Sequence, residues 1–127
     1  MRVLVCGSRH WTDADAIAAA LRSVQPRPML IIEGGAKGAD SIAAALAVRA
    51  RVNVAEYPAD WTQHSKAAGP KRNELMLREG KPDLVLAFHE DPNLGKGTAH
   101  MVRIAREAGV PVRVFIRSAD GRVTEAK

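Results

Sequence analysis

The chain has 127 residues and only one cysteine, Cys6, so no intrachain disulfide can form and a reducing compartment is expected. No apolar run approaches the roughly 20 residues that a membrane-spanning helix needs. The sequence enters a strand-like run at once, which leaves no room for a signal peptide, and the expected location is the cytoplasm. Aromatic residues make up only 4%. That excludes the interleaved aromatic stripe on which single-stranded nucleic acids stack. It also means that the core must be aliphatic, as in layered α/β folds. The histidines are His10, His64, His89 and His100. No pair has the helical spacing of a zinc site and no cysteines join them, so no metal is expected.

What is present is a hydrophobic fraction of 46%, enough for a packed domain, and a net charge of +5. A basic balance points to an anionic partner. The positive charges are scattered, with small concentrations at Lys66–Arg72 and around Arg103 and Arg106. A small anionic ligand therefore ranks above nucleic acid, and no membrane partner is expected.

Five strand-length apolar runs stand out: Arg2–Cys6, Met29–Glu33, Val52–Tyr57, Asp83–Phe88 and Val110–Ile116. Four are near-continuous rather than alternating, as in parallel strands buried on both faces. Between them lie helical patterns. Ile17, Leu21 and Val24 share one stripe, with Thr12 and Asp15 as a capping box. Ile42 and Leu46 mark a second helix opened by Asp40. Leu75, Met76 and Glu79 mark a third, led by Gly69–Pro70. Met101, Ile104, Ala105 and Ala108 mark a fourth, closed by Gly109. The order predicts a single α/β domain over residues 1–117: a doubly wound, mostly parallel five-stranded sheet of Rossmann-like type. Pro58–Ala68 reads as a long polar connection, and residues 118–127 as a polar tail or hairpin arm turning at Asp120–Gly121.

In an open α/β sheet, ligands bind beyond the carboxyl ends of the strands. The segments following the strands there are "GSRHW", "GGAKGADS", a long loop ending in "KAAGPKRNE", and "HEDPNLGKGTAH". Each carries glycine, small hydroxyls or cations, whereas the opposite connections, "QPRP" and "GKP", are ordinary turns. Gly34, Gly35 and Gly38 with the helix start at Asp40–Ser41 suit an anion, and Gly95–Thr98 repeats the logic. Neither loop has the P-loop or dinucleotide spacing.

The stretches "VCGSRHWTD", "EGGAKGAD", "PADW", "KAAGPKRNELM" and "GKGTAHMVRIAREAGVPV", in this order, resemble a small Rossmann-like family of the SLOG superfamily related to the YspA and YpsA proteins. The likeness runs to about Val112. That superfamily includes the LOG-type phosphoribohydrolases and the DprA/Smf DNA-processing proteins. The resemblance implies the Rossmann-like fold and binding of a nucleotide or nucleotide-derived ligand. The LOG signature PGGxGTxxE, laid with its GT on Gly97–Thr98, puts Asn93 at the proline, Leu94 at the first glycine and Met101 at the glutamate. That argues for binding rather than this hydrolysis. A substitute carboxylate could come from Glu33, Asp40, Glu74 or Glu90, and the sequence selects none.

The expected ligand-binding set is Gly7, Ser8, Arg9, Gly34, Gly35, Gly38, Asp40, Ser41, Lys66, Arg72, Asn73, Gly95, Gly97 and Thr98, with no catalytic residue assigned. Ser8 reads as a phosphate or ribose hydrogen-bonder and Arg9 as a charge clamp. Asp40 divides evenly between a helix cap and a ribose acceptor. Arg72 and Asn73 are contacts and Lys66 a lid cation. Trp61 divides between base stacking and anchoring its loop; Trp11 and Cys6 read as structural. The function expected is a sensor or binding module for a nucleoside phosphate, ADP-ribose or an NAD derivative, without a required cofactor beyond such a bound nucleotide. The alternatives are a LOG-like nucleotide hydrolase and DprA-like DNA binding. Pairing into a homodimer is compatible with such a domain.

Overall fold

The computed structural model describes residues 1–126. The five apolar runs become β1 (Arg2–Gly7), β2 (Leu30–Glu33), β3 (Asn53–Glu56), β4 (Leu84–His89) and β5 (Val112–Arg117). All four pairings among them are parallel. A sixth strand, β6 (Val123–Ala126), folds back antiparallel on β5, so the sheet has one strand more than expected. The polar tail is thus a hairpin arm. Arg113 on β5 grips Glu125 on β6 through two hydrogen bonds of 2.8 and 2.9 Å. Lys127, the end of the expected tail, lies outside the described residues.

The strand order is β3-β2-β1-β4-β5-β6. Both faces of the sheet are covered, which is why the strands read as continuous apolar runs. Helices α1 (Ala14–Arg22) and α2 (Ala39–Arg49) cover one face. Ile17, Ala20, Ala43 and Ala47 pack there on Val3, Val5, Ile31 and Leu86. Helices α4 (Ala68–Gly80) and α5 (Gly95–Glu107) cover the other, where Met76, Met101 and Ala105 meet Leu4, Ile32 and Val85. Met101 is fully buried, as its place in the α5 stripe requires. Alanine-rich helix faces let the layers approach closely. The scarce aromatics are concentrated: Phe88 stacks on Phe115 at 5.0 Å and meets Trp11 edge-on at 5.5 Å.

Two local expectations are corrected. The cap of α1 is Asp13, whose Oδ1 accepts from the Ala16 N–H at 3.0 Å, rather than Thr12. Pro58–Ala68 is largely helical: α3 (Trp61–His64), capped by Asp60, runs through a 3-10 turn (Ser65–Ala67) into α4. Pro70 falls in the first turn of α4, where its missing N–H has no helical partner to lose.

Candidate functional site

The chain turns one way from β1 to β2 and β3, and the other way from β4 to β5. Between the neighbours β1 and β4 the connections therefore diverge, and a crevice forms at their carboxyl ends. A cleft of about 540 Å³ opens there, within the range that small-molecule sites occupy. Its walls are the residues following β1, those following β4, and the first turns of α4 and α5.

Ser8, directly after β1, donates through Oγ to Oε1 of Glu90, which follows β4, at 2.6 Å. The same oxygen accepts from the His10 N–H at 3.0 Å. The bond spans the crevice and fixes its floor. Glu90 was one of four candidate carboxylates; it and Asp40 line the cleft, and Glu33 and Glu74 do not.

The glycine loop between β2 and α2 has its donors largely engaged within the protein. The N–H groups of Gly34 and Ala36 go to Oδ2 of Asp40 at 3.0 and 3.4 Å. The Gly35 N–H goes to Oε1 of Glu33 at 2.7 Å, and the Ala39 N–H to the Ser8 carbonyl at 3.2 Å. Gly34, Gly35, Gly38 and Ser41 lie behind the cleft wall; Asp40 and Ala36 face it. The glycines are needed for close approach. A Cβ on Gly34 would fall on the Arg72 guanidinium, and one on Gly38 (φ 80°) on the backbone of Ser8 and Arg9. Asp40 is not the helix cap: Oδ2 braces the loop, while no described residue donates to Oδ1. Burial raises its carboxyl from 3.8 to about 6, against the pull of those N–H groups and Arg72.

Arg72 and Asn73 form the next layer. Arg72 donates through Nη1 to the Gly34 carbonyl at 2.6 Å and through Nε to Oδ1 of Asn73 at 3.1 Å. The buried Asn73 donates through Nδ2 to the Gly97 carbonyl and toward Nδ1 of His100, each at 3.1 Å. This chain of bonds ties the loop after β2, helix α4 and the start of α5 into one wall. Asn73 therefore positions the site more than it offers free groups.

The first turn of α5 is different. Leu94 (φ 67°) leads into it and no side chain caps it. Gly95, Lys96, Gly97 and Thr98 all line the cleft. Unpaired N–H groups and the positive end of a 13-residue helix thus meet the cleft at one place. Gly7, Ser8, Arg9, Asp40, Lys66, Arg72 and Asn73 line the same space, so ten of the fourteen expected residues converge on it. Among the described residues the one arginine or lysine paired with a carboxylate within 4.0 Å is Arg113, with Glu125, which leaves Arg9, Lys66, Arg72 and Lys96 without such a partner.

Lys96, His89 and His100 line the cleft but are not in the expected ligand-binding set; from sequence the histidines are weighed only against a metal site. Their signal was position: each lies at the end of β4 or in the segment that follows it. Cys6 borders the cleft, but burial holds its thiol far above the ordinary range, so it is no nucleophile.

Fold and cleft define a Rossmann-like α/β domain with an open cleft at the topological switch point. The chain belongs to the YAcAr family, the YspA, cpYpsA-related SLOG family, whose model matches residues 1–64. It is similar to the Gene 61 protein of Mycobacterium phage D29, with 42% identity over 125 residues, covering 90% of this chain and 95% of that protein. No helix among the described residues is long and apolar enough to cross a membrane.

Proposed function

We propose that the cleft binds a nucleoside phosphate or a related nucleotide-derived ligand such as ADP-ribose, and that the protein works as a binding or sensing module. The carrying observation is the convergence of four cations lacking carboxylate partners with the uncapped first turn of α5. Anions bind at such helix starts because the N–H groups and the helix dipole act together. In this reading the phosphate sits against Gly95–Thr98, with Lys96, Lys66 and Arg9 neutralising its charge. Asp40 and Glu90 offer acceptors for sugar hydroxyls. Membership of a SLOG family supports a nucleotide-related role.

Gly97 supplies the test. A Cβ there would meet nothing within 4 Å, and the residue lies in a helix where an ordinary side chain is well tolerated. Gly97→Leu should therefore fold normally and fill the phosphate position. Calorimetric titration with nucleoside mono-, di- and triphosphates and ADP-ribose should give binding to wild type that weakens at least about ten-fold in the variant, a loss of roughly 1.4 kcal/mol. Equal binding by both proteins would refute the placement.

One observation favours hydrolysis as a second reading. Asp40 faces the cleft with an unengaged Oδ1 and a carboxyl raised to about 6, close to where an acid–base group works. Base release from a nucleoside 5′-phosphate by wild type, absent in Asp40→Asn, would support it. Absence of product from wild type would dismiss it for those substrates.

A further inference from the structure

We infer that Trp61 is a stacking platform, so that the ligand of the cleft carries a flat heterocycle, a nucleobase, as well as its anionic group. This rests on the reading of the cleft above and specifies the other end of the ligand.

The two tryptophans are used in opposite ways. Trp11 is 2% exposed, packs its ring on Phe88 and donates its indole N–H to the Asp13 carbonyl at 2.9 Å. Trp61 is 58% exposed. A tryptophan buried in a core removes more apolar surface from water than almost any other side chain, so leaving one open forgoes a large contribution. Among the described residues three large apolar ones are strongly exposed, Met29, Val48 and Trp61, and of these only Trp61 lines the cleft.

Its place is defined. Asp60 caps the short helix that begins at Trp61, with Oδ1 accepting from the Gln63 N–H at 2.9 Å. The indole ring reaches the first turn of α4 at Gly69, where Cη2 lies 3.6 Å from the position a Cβ would take. The ring is thus seated on the same wall as Arg72 and Asn73. The first turn of α5, tied to that wall through Asn73, borders the same cleft. An aromatic surface and an anion-binding helix start on one cavity suit the two ends of a nucleotide. Stacking on an aromatic ring accepts any base, because every base offers a π-face.

Fluorescence separates this inference from the reading it rests on, since the exposed and buried tryptophans emit differently. The 5′-diphosphates of adenosine, guanosine, cytidine and uridine, and ribose 5-phosphate as a base-free probe, are titrated into wild type, Trp61→Ala, Trp61→Phe and Gly97→Leu, with calorimetry alongside. At least one nucleotide should bind wild type and quench the emission of the exposed indole. Its affinity should fall roughly ten- to hundred-fold in Trp61→Ala, the loss expected for one stacked base, and less in Trp61→Phe. Ribose 5-phosphate should bind wild type and Trp61→Ala alike. If the nucleotide binds Trp61→Ala as tightly as wild type while Gly97→Leu blocks it, the stacking role is overturned and the cleft reading stands. If no probe binds wild type, both fall. If Trp61→Ala weakens ribose 5-phosphate as much as the nucleotide, Trp61 shapes the cleft and does not stack.

Discussion

Glu33 ends β2 with no exposed surface, directly opposite Glu56 in the register of β2 and β3. Its Oε1 accepts from the Gly35 N–H at 2.7 Å, while Oε2 is buried with no partner that can donate to it. Two ionised carboxylates side by side only repel; a proton on Glu33 turns Oε2 into a donor toward Glu56. Burial is the main cause raising the Glu33 carboxyl from 4.5 to about 7; the charges of Asp40 and Glu56 push the same way, and the Gly35 N–H opposes them. The Arg72 charge acts on Asp40, whose carboxyl it lowers. A carboxyl whose pKa is raised by folding binds more protons in the native state between its unfolded and folded values. Stability therefore falls as pH rises from about 4.5 to about 7 and stays at its lower level above that. The full shift corresponds to about 3 kcal/mol, an upper bound. Gln at position 33 keeps an acceptor for Gly35 and places an amide donor toward Glu56 at every pH. Glu33→Gln should match wild type near pH 4.5 and exceed it by about 1–3 kcal/mol at pH 8. That is roughly 3–10 °C in melting temperature for a domain of this size. Thermal melts of both proteins from pH 4.5 to 8.5 measure the difference. A gap that does not grow with pH, or a variant less stable than wild type at pH 8, would refute the protonated pair.

Gly38→Ala should destabilise by more than about 1 kcal/mol, because φ of 80° disfavours any Cβ and this one would strike the backbone of Ser8 and Arg9; chemical denaturation reads it, and an unchanged midpoint would contradict the packing. The Cys6 thiol should resist a thiol-specific disulfide reagent in the native protein and react at once when unfolded, whereas fast labelling under native conditions would mean that the cleft floor opens. Glu125→Ala should cost no more than about 1 kcal/mol, shrinking in high salt, because the Arg113 pair is solvent-exposed; a larger loss in salt titrations of stability would show that the β6 arm carries more of the fold.

The strands were legible because burial on both faces leaves an uninterrupted apolar run, and the order of the loops located the ligand edge. The hairpin arm was legible only as an option, since Val123–Ala126 has one partner strand and little apolar content. α3 was read as loop because "DWTQHSKAA" has no apolar period; a capped turn needs none. The glycine loop shows where sequence reasoning stops. "GGAKGAD" does bring N–H groups together, but several of their partners are Glu33 and Asp40, two carboxylates of the same segment. Spacing alone cannot tell an internal acceptor from a bound anion. "GKGT" looked equivalent, yet its first turn has no such acceptor and opens on the cleft. Glu33 facing Glu56 depends on strand register, which no local pattern carries.

Native mass spectrometry of gently purified protein, with the same sample unfolded and Gly97→Leu prepared in parallel, tests directly whether this cleft holds a nucleotide-like ligand. Wild type should retain a mass of nucleotide size that is released on unfolding, and should bind the same mass when a nucleoside phosphate is added back, with neither seen for the variant. Wild type that carries no such mass and takes up none from added nucleoside phosphates or ADP-ribose would contradict that expectation.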